Sequence, residues 1–382
     1  MNRIPDIRTQ ASQLIAAASI SSTNPDLDMG NRGCAETLAT WLTDLGFACE
    51  LMELPGQPHK VNLIATLGSG PGGLVLAGHI DTVPCDETAW ASDPFRLSEQ
   101  DERWHGLGIC DMKGFFAIVL QAIHDMDLSA LSAPLIVLAT ADEESSMHGA
   151  RALAAAGRPK ARYAVIGEPT GLRPVRMHKG ILMEALEIQG QAAHASRPDL
   201  GHSAIDDMHR AMTALIQLRE EWQTGTLRHE FAVPHATLNI GSLQGGDAPN
   251  RIAACCSASL DVRLLPGQSP EEMRSLMHRR VEAAVSDPGR LSWQHLFEGL
   301  CAFETAADTP LVQVAERLTG HASAAVDFAT EAPFLSGMGM QTIVLGPGDI
   351  DQAHQPDEFL DSGRIAPMIG VVQGLIKQFC IE

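Results

Sequence analysis

The sequence predicts an α/β protein, with a mostly parallel central sheet flanked by helices and interrupted by an inserted ferredoxin-like α+β module. Three observations predict it. Through the first 180 residues, short continuous apolar stretches alternate with helical patterns, as strands buried on both faces of a parallel sheet do. From about residue 181 the order changes to β-α-β-β-α-β, the order of a split βαβ module. From about residue 299 the first style resumes. The expected domains are therefore 1–180 with 299–382, and an insert of 181–298.

The elements follow in order. Residues 8–19 and 33–45 have helical periodicity, and Gly46 closes the second. Phe47–Leu54 and Val61–Leu67 are strand-like, and the turn Gly68–Gly73 leads into the strand Leu74–Gly78. Met112–Leu128 is a helix with Phe115, Ile118, Val119 and Ala122 on one face. Leu135–Ala141 and Tyr163–Gly167 are short buried strands on either side of the helix Gly149–Ala156. In the insert, Ile181–Gln189, 236–243, 255–264 and about 290–297 are strands, and 203–222 is a long helix. Ser269-Pro270-Glu271-Glu272 opens the second helix with an N-cap, a proline at N1 and a glutamate at N3. The last part holds a helix after Thr309-Pro310, the strand Thr342–Leu345 and a helix from about 364.

Composition narrows the function. Lys and Arg number 27 against 47 Asp and Glu, a formal charge of −20. Such a chain repels phosphate backbones and anionic lipid, so nucleic acid and membrane surfaces are poor partners. Eight cysteines are scattered with no C-x-x-C pair, which fits reduced thiols in the cytoplasm. The longest apolar runs are far too short to span a bilayer. Arg3 and Arg8 flank Asp6 at the start, which interrupts any apolar targeting segment. Fifteen histidines are the outlier.

Several polar clusters follow the buried strands, where ligands gather in α/β sheets. LVLAG delivers His79 and Asp81; LIVLATA delivers Asp142, Glu143 and Glu144; YAVIG delivers Glu168. TIVLG leads through a loop to His354, and Asp111 sits in GLGICDMKG just before a helix. Each alone has a plainer reading. His79 suits a hydrogen-bonded strand end, Asp111 an N-cap, and Glu143, Glu144 and Glu168 solvated loops. His354 suits a surface ion pair near Asp351, Asp357 and Glu358. Together they make an anionic pocket that needs cations, and divalent metal with His and carboxylate ligands is the natural answer. Asp81 is placed to fix one tautomer of His79. A dinucleotide site at Gly68–Gly73 or Gly106-Leu107-Gly108 is disfavoured by Pro71 and by the missing final glycine. Neither a phosphate-binding G-x-x-x-x-G-K-[ST] loop nor a G-x-S-x-G elbow is present.

LAGHIDTVP, GLGICDMKGFFA, ATADEESSMHGAR, VIGEPT, QAAHASRP and GPGDIDQAHQPDE together resemble the co-catalytic dimetal amidohydrolases, which include acetylornithine deacetylase and succinyl-diaminopimelate desuccinylase. NRIAACCSASLDVRLLPG and TEAPF are similar to the acetylornithine branch. The resemblance implies two divalent metals per chain, zinc with cobalt as the alternative. His79 and Glu168 would bind one, Glu144 and His354 the other, and Asp111 would bridge both. It implies Glu143 as general base, Asp81 as the group orienting His79, and a homodimer formed through the insert. His194 would reach a neighbouring active site to stabilise the oxyanion, and Asn250 and Arg263 would line the substrate's carboxylate side. The implied substrate is a small N-acyl amino acid, N2-acetyl-L-ornithine of arginine biosynthesis. Desuccinylation, acetylcitrulline deacetylation and dipeptide hydrolysis are the alternatives, and a non-catalytic binder would lack these ligands. Glutathione enters at family level only, with no site in the sequence. His105 and Cys110 depart from the family pattern; the reading expects activity to survive and Cys110 to be oxidation-sensitive.

Overall fold

A computed structural model describes residues 4–382; Arg3 lies outside them. In chain order the larger elements are α1 (Ile7–Ala16), α2 (Arg32–Asp44), β1 (Ala48–Leu54), β2 (Gln57–Leu67), β3 (Leu74–His79), α3 (Lys113–His124) and β4 (Leu135–Thr140). They continue with α4 (His148–Ala156), β5 (Tyr163–Ile166), β6 (Val175–His178), β7 (Gly180–Gln189), α5 (Ala204–Thr224), β8 (Thr237–Gly245) and β9 (Cys255–Leu264). The last are α6 (Pro270–Ala284), β10 (Leu291–Leu300), α7 (Pro310–Thr319), α8 (Ala332–Gly337), β11 (Gln341–Val344) and α9 (Ile365–Ile376).

The chain divides into two compact units. The first comprises residues up to Arg176, Thr305–Ala324 and Thr330–Glu382; the second comprises Met177–Glu304 and Ala325–Ala329. In the first unit the sheet runs β1-β2-β4-β3-β5-β11-β6. It is parallel at its centre, where β3 pairs β4 and β5, and β5 pairs β11. The outer pairs are antiparallel. Every residue of β3, β4 and β5 is buried, as continuous apolar strands covered on both faces must be. α3 is buried on nearly every side rather than along one stripe, because α1 and α9 pack on it as well as β3.

Two helices end earlier than their periodicity suggests. α1 stops at Ala16 because the next residues pair with the loop after β3. Ser19 Oγ donates to the Ile80 carbonyl (2.6 Å), and Ser21 N–H donates to that of Thr82 (2.9 Å). α3 stops at His124, with Asp125 as its C-cap.

The second unit is a four-stranded antiparallel sheet in the order β8-β9-β7-β10, with α5 and α6 connecting β7 to β8 and β9 to β10. That is the expected split βαβ pairing. β7 alternates buried and half-buried residues and β9 alternates in the same way, so one face packs on the helices. Leu182, Leu186, Leu260 and Val262 meet Met208, Leu215 and Met277 there. Ser203 and Ser269 cap the two helices with their hydroxyls.

Candidate metal centre and active site

The carboxyl ends of three adjacent strands build the site. β3 ends on His79, whose register partner in β4 is Thr140; Ala77 pairs with Ile166, the last residue of β5. Glu143 and Glu144 therefore leave one side of His79, and Glu168 the other. Asp111 precedes α3 directly. A Cβ at Gly167 would fall inside the Phe115 ring, so glycine lets α3 approach the sheet closely enough to bring Asp111 over the strand ends. Asp111 is not an N-cap. That position is Met112, and it carries no side-chain cap.

The side chains converge. His79 Nε2 lies 3.1 Å from Asp111 Oδ1 and 3.7 Å from Glu168 Oε1. His354 Nε2 lies 3.0 Å from Glu144 and 3.4 Å from Asp111 Oδ2. The two oxygens of Asp111 thus face different histidines. Potential ligand atoms of His79, Asp111 and Glu144 lie within 4.8 Å of one another, as do those of His79, Glu143 and Glu168. His354 is accordingly paired with Glu144 and Asp111 rather than with its surface neighbours.

Electrostatics show how crowded the negative charge is. Burial, then the Asp111 charge, pushes Glu168 well above the usual carboxyl range and raises Glu144. Burial together with Glu144 and Glu331 pushes Glu143 well up. Burial alone would lower His79, but Glu168, Asp111 and Asp81 outweigh it and hold the imidazole well above its ordinary value. Hydrogen bonds donated by His354 to Asp111 and Glu144 lift its imidazole to about 10. Asp111 is held well below the carboxyl range by the two histidines despite its burial. Four carboxylates around two imidazoles, with one carboxylate shared, form a donor set suited to two divalent cations.

The supporting groups are mostly main chain. His79 Nδ1 donates to the Asp81 carbonyl (3.0 Å), while the Asp81 carboxylate stays 3.7 Å away. The tautomer-fixing bond is therefore to the backbone of Asp81, not to its side chain. Asp81 Oδ2 instead accepts from Glu144 N–H (3.1 Å), and Oδ1 is buried without a hydrogen bond.

Sequence reasoning missed three buried charges here. Lys60 Nζ donates to Asp142 (2.6 Å) and Asp28 (2.8 Å), with the Lys60 and Asp142 side chains only 5% and 4% exposed. Asp142 has φ +60°, and its carbonyl accepts from Met147 N–H at 2.6 Å. The pair therefore clamps the turn that presents Glu143 and Glu144. Lys60→Met should cost about 3–5 kcal/mol, because it leaves a buried carboxylate unpaired. A urea midpoint unchanged from wild type would contradict this.

Glu331, from TEAPF, is buried, accepts from Thr140 Oγ1 (2.9 Å) and is pushed up to about 7 by burial. Glu358, read above as a surface acid, is 2% exposed and accepts from three backbone N–H groups of the Asp111 loop. Its signal was the position itself, four residues after a histidine ligand candidate.

The two departures from the family pattern sit close by. The Cys110 thiol is buried, contacts the Asp349 carbonyl at 3.3 Å, and is pushed far up by burial and then by Glu358 and Asp111. That corrects the expectation of oxidation sensitivity, since the thiolate is the reactive form. His105 donates from Nδ1 to the Asp357 carbonyl (3.1 Å) and packs on the Phe359 ring.

His194, Asn250 and Arg263 lie in the second unit, at two places. Exposed His194 Nδ1 accepts from Ser196 N–H (3.2 Å). The Asn250 carbonyl accepts from Ala195 N–H (3.0 Å), so His194 and Asn250 share one loop cluster. Arg263 is elsewhere. It pairs with Ile181 at the other end of β9 and makes a bidentate bond to Asp261 (2.8 and 3.1 Å).

Residues 75–378 match the model of peptidase family M20/M25/M40. The chain belongs to this family. Acetylornithine deacetylase of Proteus mirabilis is 46% identical to it over 370 residues, covering 97% of this chain and 95% of that one. Acetylornithine deacetylase of Pasteurella multocida is 45% identical over the whole of both chains. Among solved structures, an M20 family metallo-carboxypeptidase of Sulfolobus solfataricus superposes with TM-score 0.78 at 18% identity, covering 98% of this chain and 99% of that one. A dinuclear metal binding M20 peptidase of Bacillus subtilis gives TM-score 0.68 at 14% identity, covering 98% of each. This M20 chain is a metal-dependent hydrolase.

Proposed function

We propose that the chain hydrolyses N2-acetyl-L-ornithine to L-ornithine and acetate, using two divalent cations, in the cytoplasm. The observation that carries the reading is one carboxylate, Asp111, shared between two histidine-containing ligand sets, in a chain about 45% identical end to end to acetylornithine deacetylases. His79 and Glu168 would hold one ion, Glu144 and His354 the other, and Asp111 both. Zinc suits this donor set, and cobalt, a neighbour in the divalent series, is the alternative. Bound cations in such a site lower the pKa of water and polarise the acyl carbonyl.

The chain's own groups do the rest. Glu143 accepts the proton of the attacking water and passes it to the departing α-amine. The His79 Nδ1–H bond to the Asp81 carbonyl fixes the ring and aims Nε2 at the other ligands, where a bound cation would take the place of its proton. His194 donates from Nε2, because Nδ1 is occupied as an acceptor, and its partner is the oxyanion. Asn250 and Arg263 take the substrate's carboxylate side.

His194 and Arg263 come from different subunits in this reading. Arg263 stands eight residues along β9 from Cys255, or about 27 Å at 3.4 Å per residue. The His194 loop is tied to the Cys255 end through Arg251 and Asn250. One chain thus presents the two groups too far apart for one small substrate; two chains running antiparallel about a two-fold axis would bring one from each together. The partner face has support as well. β8 is an edge strand of this sheet, with Leu243 57% exposed and Ile205 of α5 45% exposed. An unprotected, partly apolar edge is suited to pairing with a second copy.

Purified chain loaded with zinc or cobalt tests the function. N2-acetyl-ornithine should be turned over with kcat/KM at least about tenfold above N-succinyl-diaminopimelate, N-acetylcitrulline and dipeptides, the scale of one discriminating contact. A higher value on any of the others reassigns the substrate. Elemental analysis should approach two metal ions per chain, and full activity without metal would overturn the mechanism.

A further inference from the structure

Glu358 has no role in the chemistry above, yet it is the most thoroughly held carboxylate near the site. Its Oε1 accepts from Cys110 N–H (2.7 Å) and Asp111 N–H (3.0 Å), and its Oε2 from Gly108 N–H (2.9 Å). Three donors aimed at two oxygens suit a carboxyl group, both of whose oxygens accept. The backbone around it is tied to the same loop. The Glu358 carbonyl accepts from Gly106 N–H (3.2 Å), and Phe359 and Leu360 pair with His105 and Trp104. The Asp111 loop is closely packed at this point. Gly108 has φ +81°, and a Cβ there would meet Thr82 Cγ2 at 2.7 Å.

His354 stands four residues before Glu358 on the same segment. The segment therefore presents one candidate ligand, His354, and grips the main chain of another, Asp111. We propose that Glu358 is a positioning residue that locks the Asp111 loop to the His354 segment and so fixes the separation between these two ligands. The inference rests on the assignment of Asp111 and His354 as ligands. His79 and Glu168 stand on strand ends that Glu358 does not touch, so the ion they hold should feel the lock least.

The test is Glu358→Gln in the full chain. The amide NH2 cannot accept, so it removes at least one of the three bonds and sets its own donor against the N–H left behind. Far-UV circular dichroism and thermal unfolding of the metal-free chain monitor the fold, and zinc is then titrated calorimetrically. Wild type should bind two equivalents; failure there refutes the ligand assignment, not the role of Glu358. In Glu358→Gln the second equivalent should weaken about 10–100-fold, the usual effect of losing a group that orients a ligand, while the first stays within a few-fold. Glu358→Asp, which keeps the charge, should recover part of the loss. Two equivalents bound as in wild type would overturn the proposal. Loss of the folded metal-free state in both variants would also overturn it, by making Glu358 a residue of the fold alone.

Discussion

Glu143→Ala should retain both metal ions and lose most of its turnover, by roughly 10²–10⁴-fold, the range for general acid–base catalysis. The prediction discriminates because the geometry places Glu143 among possible ligands, within reach of His79 and Glu168. Glu144 is the better ligand candidate. Its oxygens already meet His354 at 3.0 Å, and its N–H is fixed by Asp81. The Glu143 carboxyl is raised by burial and by Glu144 and Glu331, which suits a group that must take up a proton and then release it. Metal content by elemental analysis and kcat on N2-acetyl-ornithine are read on the same sample. A variant that binds one ion fewer and keeps its residual turnover per bound ion would make Glu143 the ligand and Glu144 the base.

The parts of this site that could be read from sequence are those determined locally. LVLAG, LIVLAT and YAVI are buried on both faces, so their strand character needs no tertiary information, and the polar residues after them mark the sheet's carboxyl edge. What stayed hidden depends on contacts far apart in the chain. Glu358 reaches Cys110 across 248 residues, and Lys60 reaches Asp142 across 82; in one dimension both look like ordinary surface charges. β6, with the sequence VRMH, alternates polar and apolar residues over only four positions, too few for a strand signal. The units divide near Arg176 and Glu304 rather than at 180 and 298, and Ala325–Ala329 joins the second unit. Lys179 accounts for that short return, since its buried ammonium pairs with Asp327 at 3.1 Å and donates to the Val233 and His235 carbonyls. The tautomer-fixing bond of His79 illustrates a different limit. The motif His-x-Asp named the right residue, but only the backbone path shows that its carbonyl makes the bond.

A mixture of His194→Ala and Glu143→Ala chains should regain activity that neither parent has. The loss expected of His194→Ala alone is about 10²–10³ in turnover, the value of one donor aimed at a developing oxyanion. The loop supports that role, because Ser196 N–H donates to Nδ1 and so leaves the imidazole proton on exposed Nε2. It also allows a purely local one, because the Ser196 hydroxyl lies 2.7 Å from the same nitrogen. Complementation separates the two. If His194 serves the other subunit, a mixed dimer contains one site with intact Glu143 from one chain and intact His194 from its partner, while its second site lacks both. Random exchange of equal amounts in a two-fold dimer then gives about a quarter of wild-type activity. If His194 acts in its own chain, every site in every dimer lacks one group and the mixture stays at the parental level. Subunit exchange is verified with differently tagged chains, so parental activity after demonstrated exchange would exclude supply across the interface. Asn250 extends the test. It shares the His194 loop cluster while Arg263 sits at the far end of β9, so Asn250→Ala should be complemented by Glu143→Ala in the same way, and Arg263→Ala should not.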